Sequence, residues 1–102
     1  MEHNTKLALD KFVNLVQDMV DAYRTKNFPT LKRETITLKL GRRYAKLIAQ
    51  GNGQRVYCFV DLANGDILKA ASWNAPAKHA RGSIFADSPL SAVGPYGANY
   101  LI

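Results

Sequence analysis

Residues 66–85 read DILKAASWNAPAKHARGSIF, and how this stretch divides decides the fold. Its opening, DILKAA at 66–71, follows the turn LANG at 62–65, where Gly65 can take a positive φ; a strand is expected there. After Lys69 the strand pattern breaks. Asn74 is a cap candidate, Pro76 suits a first helical turn and Gly82 suits a helix end, so 74–82 reads as a short helix. Such a helix would set Lys78 and Arg81 on one face, with His79 about 100° round from them.

Upstream, the period is two. ETITLKL at 34–40 alternates Ile36, Leu38 and Leu40 with Thr35, Thr37 and Lys39, a half-buried strand. GRR at 41–43 turns the chain into YAKLIAQ at 44–50, and GNG at 51–53 turns it into RVYCFVD at 55–61. Links this short favour antiparallel neighbours. Further upstream, Leu9, Phe12, Val13, Val16, Met19, Val20 and Tyr23 recur at three-and-four spacing and predict an amphipathic helix over 5–26. Asn4 or Thr5 is the cap candidate, and Asn27 with Phe28 and Pro29 marks the end. The acids opposite the apolar stripe argue against a lipid-facing helix.

Downstream of Ser83 the chain is rich in small residues, Gly and Pro, and Tyr96, Tyr100, Leu101 and Ile102 are expected to tie it to the body. The expected fold is therefore α+β and a single domain over 1–102. An N-terminal helix packs on a four-stranded antiparallel meander, followed by the short helix and an irregular tail. A chain of 102 residues has room for one core, and a homo-oligomer would be a natural supplement to its stability.

Charge narrows the function. Fourteen Lys and Arg against eight Asp and Glu give +6. The excess is concentrated in the middle: Arg24, Lys26, Lys32, Arg33, Lys39, Arg42, Arg43, Lys46 and Arg55 stand against Glu34 alone, whereas Glu2, Asp10, Asp18 and Asp21 lie in the first two dozen residues. A local positive field attracts nucleic acid or nucleotides, although a basic surface also simply keeps a protein soluble. The start of the chain lacks the apolar run of a signal peptide and no stretch is long enough to span a bilayer, so no membrane partner and a soluble intracellular protein are expected.

Lys69, Ser72, Trp73, Lys78, His79 and Arg81 suit an anion: long cations, a hydroxyl, free N–H groups at a helix start and an aromatic face for a base. Arg42 and Arg43, at a turn, would track phosphates, and Trp73 or Tyr57 would stack on bases. The ordinary alternative is a core or lid tryptophan beside solvated cations. Other chemistry is weaker. The sequence has no zinc pattern, phosphate loop or dinucleotide fingerprint, and no cofactor is expected. Asp61 and Asp66 flank a turn, where acids commonly brace the backbone. His79 and Ser83 lack a third triad member, so catalysis is not indicated. Cys58, the lone cysteine, sits among Val56, Phe59 and Val60 and reads as a buried inert thiol.

The run VYCFVDLANGDILKAASWNAPAKHARGSIF at 56–85, followed by GPYGANYL, resembles a group of small bacteriophage-encoded proteins sharing GDI-x-K-x-ASW-x-APAKHARG-x-IF. The resemblance covers the carboxy-terminal half, with Lys69, Ser72, Trp73, Pro76, Lys78, His79, Arg81 and Gly82 on the shared stretch. It implies a viral setting, in the cytoplasm of an infected bacterium, and transfers no roles. Three functions stay open. The first is a non-enzymatic accessory protein that binds nucleic acid. The second is a protein that sequesters a nucleotide or another phosphorylated small molecule to counter host defence. The third is an inhibitor of a host protein or a virion component.

Overall fold

The computed structural model describes residues 3–30, 33–51 and 53–99; Glu2, Lys32, Asn52, Tyr100, Leu101 and Ile102 lie outside the described residues. Helix α1 (His3–Asn27) buries Leu9, Phe12, Val16 and Val20 along one stripe. It already runs at His3, so Asn4 and Thr5 lie within it rather than capping it, and Thr5 is buried. Its end falls where Phe28 and Pro29 predict, with the Asn27 amide donating to the Tyr23 carbonyl at 2.9 Å.

Five strands follow: β1 (Thr35–Leu40), β2 (Tyr44–Gln50), β3 (Gln54–Asp61), β4 (Asp66–Ala70) and β5 (Pro76–Ser83). They form one antiparallel sheet in the order β1-β2-β3-β4-β5. The expected four-stranded meander followed by a short helix is overturned here: 76–83 is the fifth strand. The physical reason is burial. A short helix over 74–82 has no apolar stripe to bury and would be marginal alone. Pairing with β4 instead sets Ala80 opposite Leu68 and Gly82 opposite Ile67.

The three residues that signal a helix serve other ends. Pro76 opens an edge strand, a position where no ladder donor is missed. Gly82 lets the chain pack closely, since a Cβ there would meet the Ala92 Cβ at 2.7 Å. Asn74 lies in the loop between β4 and β5, which is closed by the Ala71 and Ser72 amides donating to the Ala75 carbonyl at 2.9 and 3.1 Å.

The tail is also more ordered than expected. A 3₁₀ turn (Pro89–Ala92) leads into a small hairpin of β6 (Val93–Gly94) and β7 (Gly97–Ala98). Ala92, Val93 and Ala98 join the α1 stripe in one cluster with Leu47, Cys58, Val60 and Ile67. Helix and tail thus cover the same face of the sheet. On β3 the register slips between Leu47–Cys58 and Ile48–Val56, leaving Tyr57 as the extra residue of a bulge. Tyr57 is buried in the same cluster and donates its hydroxyl to the Gly94 carbonyl.

The edges are closed in different ways. Gln17 of α1 accepts from the Ile36 amide at 2.7 Å and donates to the Glu34 carbonyl at 3.0 Å, covering the start of β1. At the other edge, β5 carries a proline, two register shifts and exposed Lys78 and His79. These are common devices against edge-to-edge pairing.

Candidate nucleic-acid interface

The strand at 76–83 splits the residues that the sequence groups between 69 and 81. Lys69 lines a recess of about 360 Å³ with Tyr57, Ala98 and Asn99, on the side of the tail. Arg81 Nε donates to the Asn99 carbonyl at 2.9 Å, and its guanidinium also donates to the His79 carbonyl, so Arg81 fastens β5 to the tail. Lys78 and His79 are exposed on the edge strand, and Ser72 is exposed in the loop. Tyr57, expected as a stacking residue, is 2% exposed and cannot serve.

A different group assembles on the outer face, away from α1. One register row runs Lys39, Lys46, Phe59, Leu68 and Ala80 across all five strands. Lys46, Ile48, Phe59 and Leu68 are buried yet stand outside the inner cluster. The β4–β5 loop folds over this row. Lys46 Nζ lies 4.4 Å from the Trp73 ring centroid and 5.8 Å from that of Phe59, and donates to Asn74 Oδ1 at 3.4 Å. Tyr44 meets Phe59 edge-on at 6.2 Å, and the Arg43 guanidinium sits 5.2 Å from the Tyr44 ring.

Trp73 is 41% exposed, so its ring is held by Lys46 and still presented to solvent. Between this loop and the β1–β2 turn is a recess of about 260 Å³, lined among others by Lys39, Arg42, Tyr44, Lys46 and Asn74. The structure therefore brings together Arg42, Arg43 and Trp73 and separates them from Lys69 and Arg81. Lys39, Lys46, Tyr44, Phe59 and Asn74 are the site residues missed in the sequence. The available signal is alternation in YAKLIAQ, which sets Lys46 opposite to Ala45 and Leu47 and beside Tyr44 and Ile48.

Much of the mid-chain charge is already neutralised. Glu34 pairs with both Arg24 and Arg55 at 3.3 Å, Asp61 with Arg43 at 3.3 Å, and Asp21 with Arg33 at 2.8 Å. The Arg33 hydrogen bonds hold the Asp21 carboxyl below the usual carboxylate range. Among the described residues of the middle segment Lys26, Lys39, Arg42 and Lys46 have no acid partner. Three of these four, Lys39, Arg42 and Lys46, line the outer recess, and Lys26 lies in the last turn of α1.

With this geometry in hand, the chain can be placed. A family of unknown function matches residues 2–93, most of the chain. The chain belongs to DUF7717. No curated protein and no solved structure matches it.

This DUF7717 chain shows no group of three or more His, Cys, Asp or Glu able to hold a metal among the described residues. Asp61 braces its turn, accepting from the Ala63 amide at 2.9 Å. Cys58 is fully buried and free, and burial pushes its thiol pKa up, which makes it a poor nucleophile. No described helix is long and apolar enough to cross a membrane.

Proposed function

We propose that the protein is a non-enzymatic accessory protein that binds single-stranded nucleic acid on the outer face of its sheet. One observation carries this: an exposed indole held by Lys46, which lines one recess with Tyr44 and two further cations without acid partners, Lys39 and Arg42. Aromatic faces can stack only on unstacked bases, and long cations follow the backbone between them. That combination favours a single strand over a duplex. The resemblance of the 56–85 stretch to phage-encoded proteins supports reading this activity as one exercised in an infected bacterium.

Fluorescence polarisation with labelled single-stranded DNA, single-stranded RNA and duplex DNA across a salt series tests the proposal. Binding to single strands should weaken steeply as salt rises, because each neutralised phosphate releases counterions. Lys39→Gln with Arg42→Gln should reduce it, while Lys78→Ala should not. No binding at low salt, or loss caused by Lys78→Ala alone, refutes the proposal.

A further inference from the structure

We infer that the recess between the β1–β2 turn and the Trp73 loop is a site for one phosphomonoester group carried on a nucleotide. The site rests on the strand-binding face proposed above and names what that face grips most tightly.

Register supplies the first argument. Lys39 and Lys46 stand directly opposite each other on adjacent strands and on the same face. Like charges so placed repel and destabilise the pair. Neither forms a salt bridge among the described residues, and Asp61, at the far end of β3, is engaged by Arg43 and the Ala63 amide. Arg42, exposed at the turn, adds a third cation without an acid partner. An anion between these groups would turn a repulsive arrangement into an attractive one.

Burial supplies the second. Lys46 is 8% exposed, and a lysine so enclosed ordinarily has an acid partner. Here the ammonium has two ring faces and one long hydrogen bond of 3.4 Å to Asn74. Ring contacts offset only part of the loss of hydration that a buried cation suffers. The Asn74 amide nitrogen has no hydrogen-bond acceptor among the described residues and is a further donor for a phosphate oxygen.

Charge count and shape then select the ligand. Three unpaired cations match the charge of about −2 on a phosphomonoester better than the single charge of an internal diester. The half-buried Tyr44 ring and the exposed Trp73 ring offer flat apolar surfaces for the attached base, with Phe59 packed beneath them. A recess of about 260 Å³ suits one phosphate with part of one nucleotide, not a length of strand. The same chemistry is present in a free nucleoside monophosphate and at the phosphorylated end of a strand.

Trp73 is the only tryptophan and its ring lies against Lys46, which lines the recess, so its emission reports on a ligand that engages Lys46. The test titrates the full chain with adenosine 5′-monophosphate, adenosine and inorganic phosphate. In parallel it compares an oligothymidylate carrying a 5′-phosphate with the same oligomer carrying a 5′-hydroxyl. The 5′-phosphate should tighten binding by about tenfold, the worth of one good charge-assisted hydrogen bond. Lys39→Gln and Arg42→Gln, both at exposed positions, should abolish that difference while leaving the melting temperature unchanged or slightly raised. Equal affinity for the two oligomers, with no response to the monophosphate, overturns the phosphate site and leaves the strand-binding face standing. A response to the monophosphate but to neither oligomer upholds the site, assigns its source to free nucleotides and overturns strand binding. Adenosine binding as well as its monophosphate also overturns the site.

Discussion

The two faces of the sheet bury similar kinds of side chain for different ends. The inner face closes Leu47, Cys58, Val60 and Ile67 under α1 and the tail, with carbon against carbon. The outer face buries Phe59, Ile48 and Leu68 around a lysine, beneath a loop that leaves its tryptophan half in water. Close packing on the first face is what stability requires. A cation enclosed by rings on the second contributes less to stability and offers more to a ligand.

The largest effect that should separate the faces is on stability. Phe12→Ala empties space in the inner cluster and should cost about 3–5 kcal/mol, read as a lower urea midpoint. Lys46→Met, on the outer face, replaces an incompletely compensated cation with an apolar chain of similar length. It should leave stability unchanged or raised. Equal losses in the two variants would break the contrast.

Next comes the turn that aims β4 and β5. Gly65 has φ +81°, a region costly to any residue with a Cβ. Phe85, the nearest obstacle to that Cβ at 2.5 Å, is half exposed and can swing aside. Gly65→Ala should therefore cost mainly the backbone term, about 1–2 kcal/mol, seen as a lower melting temperature. On binding, Trp73→Ala should remove about 1–3 kcal/mol of affinity for a single strand, with little change in melting temperature. A large stability loss there would mean that the loop is packing, not a binding surface.

The division between these faces was only partly legible in the sequence. The α1 stripe and the alternation of β1 and β2 stand out because each buries one face against the core. PAKHARGS does not, because an edge strand with two register shifts needs only Ala80 and Gly82 to meet its neighbour. Local helix signals in Asn74, Pro76 and Gly82 then outweigh a pairing that depends on distant residues. The candidate site suffered for the same reason. Arg42, Arg43 and Trp73 are identifiable as single residues, but their convergence on Lys46 and Phe59 follows from β5 lying beside β4. The ion pairs that quieten Arg24, Arg33, Arg43 and Arg55 likewise join separate parts of the chain.

The smallest effect concerns one of those pairs. Arg33 lowers the Asp21 carboxyl below its ordinary value of 3.8, so the pair adds stability above that pH and loses it as pH falls through the lowered value. Because both groups are partly exposed, Asp21→Asn should cost no more than about 1 kcal/mol at neutral pH. In acid the gap should close. A gap that persists well below pH 3.8 would assign the loss to packing instead.

Backbone amide shift mapping by NMR, with a short single-stranded oligonucleotide at low salt, tests the outer-face interface most directly. Perturbations should cluster at Lys39, Arg42, Tyr44, Lys46, Phe59 and Trp73, and should fade as salt is raised. Shifts confined to Lys69, Arg81 and Tyr96, on the side of the tail, or no shifts at all, would contradict it.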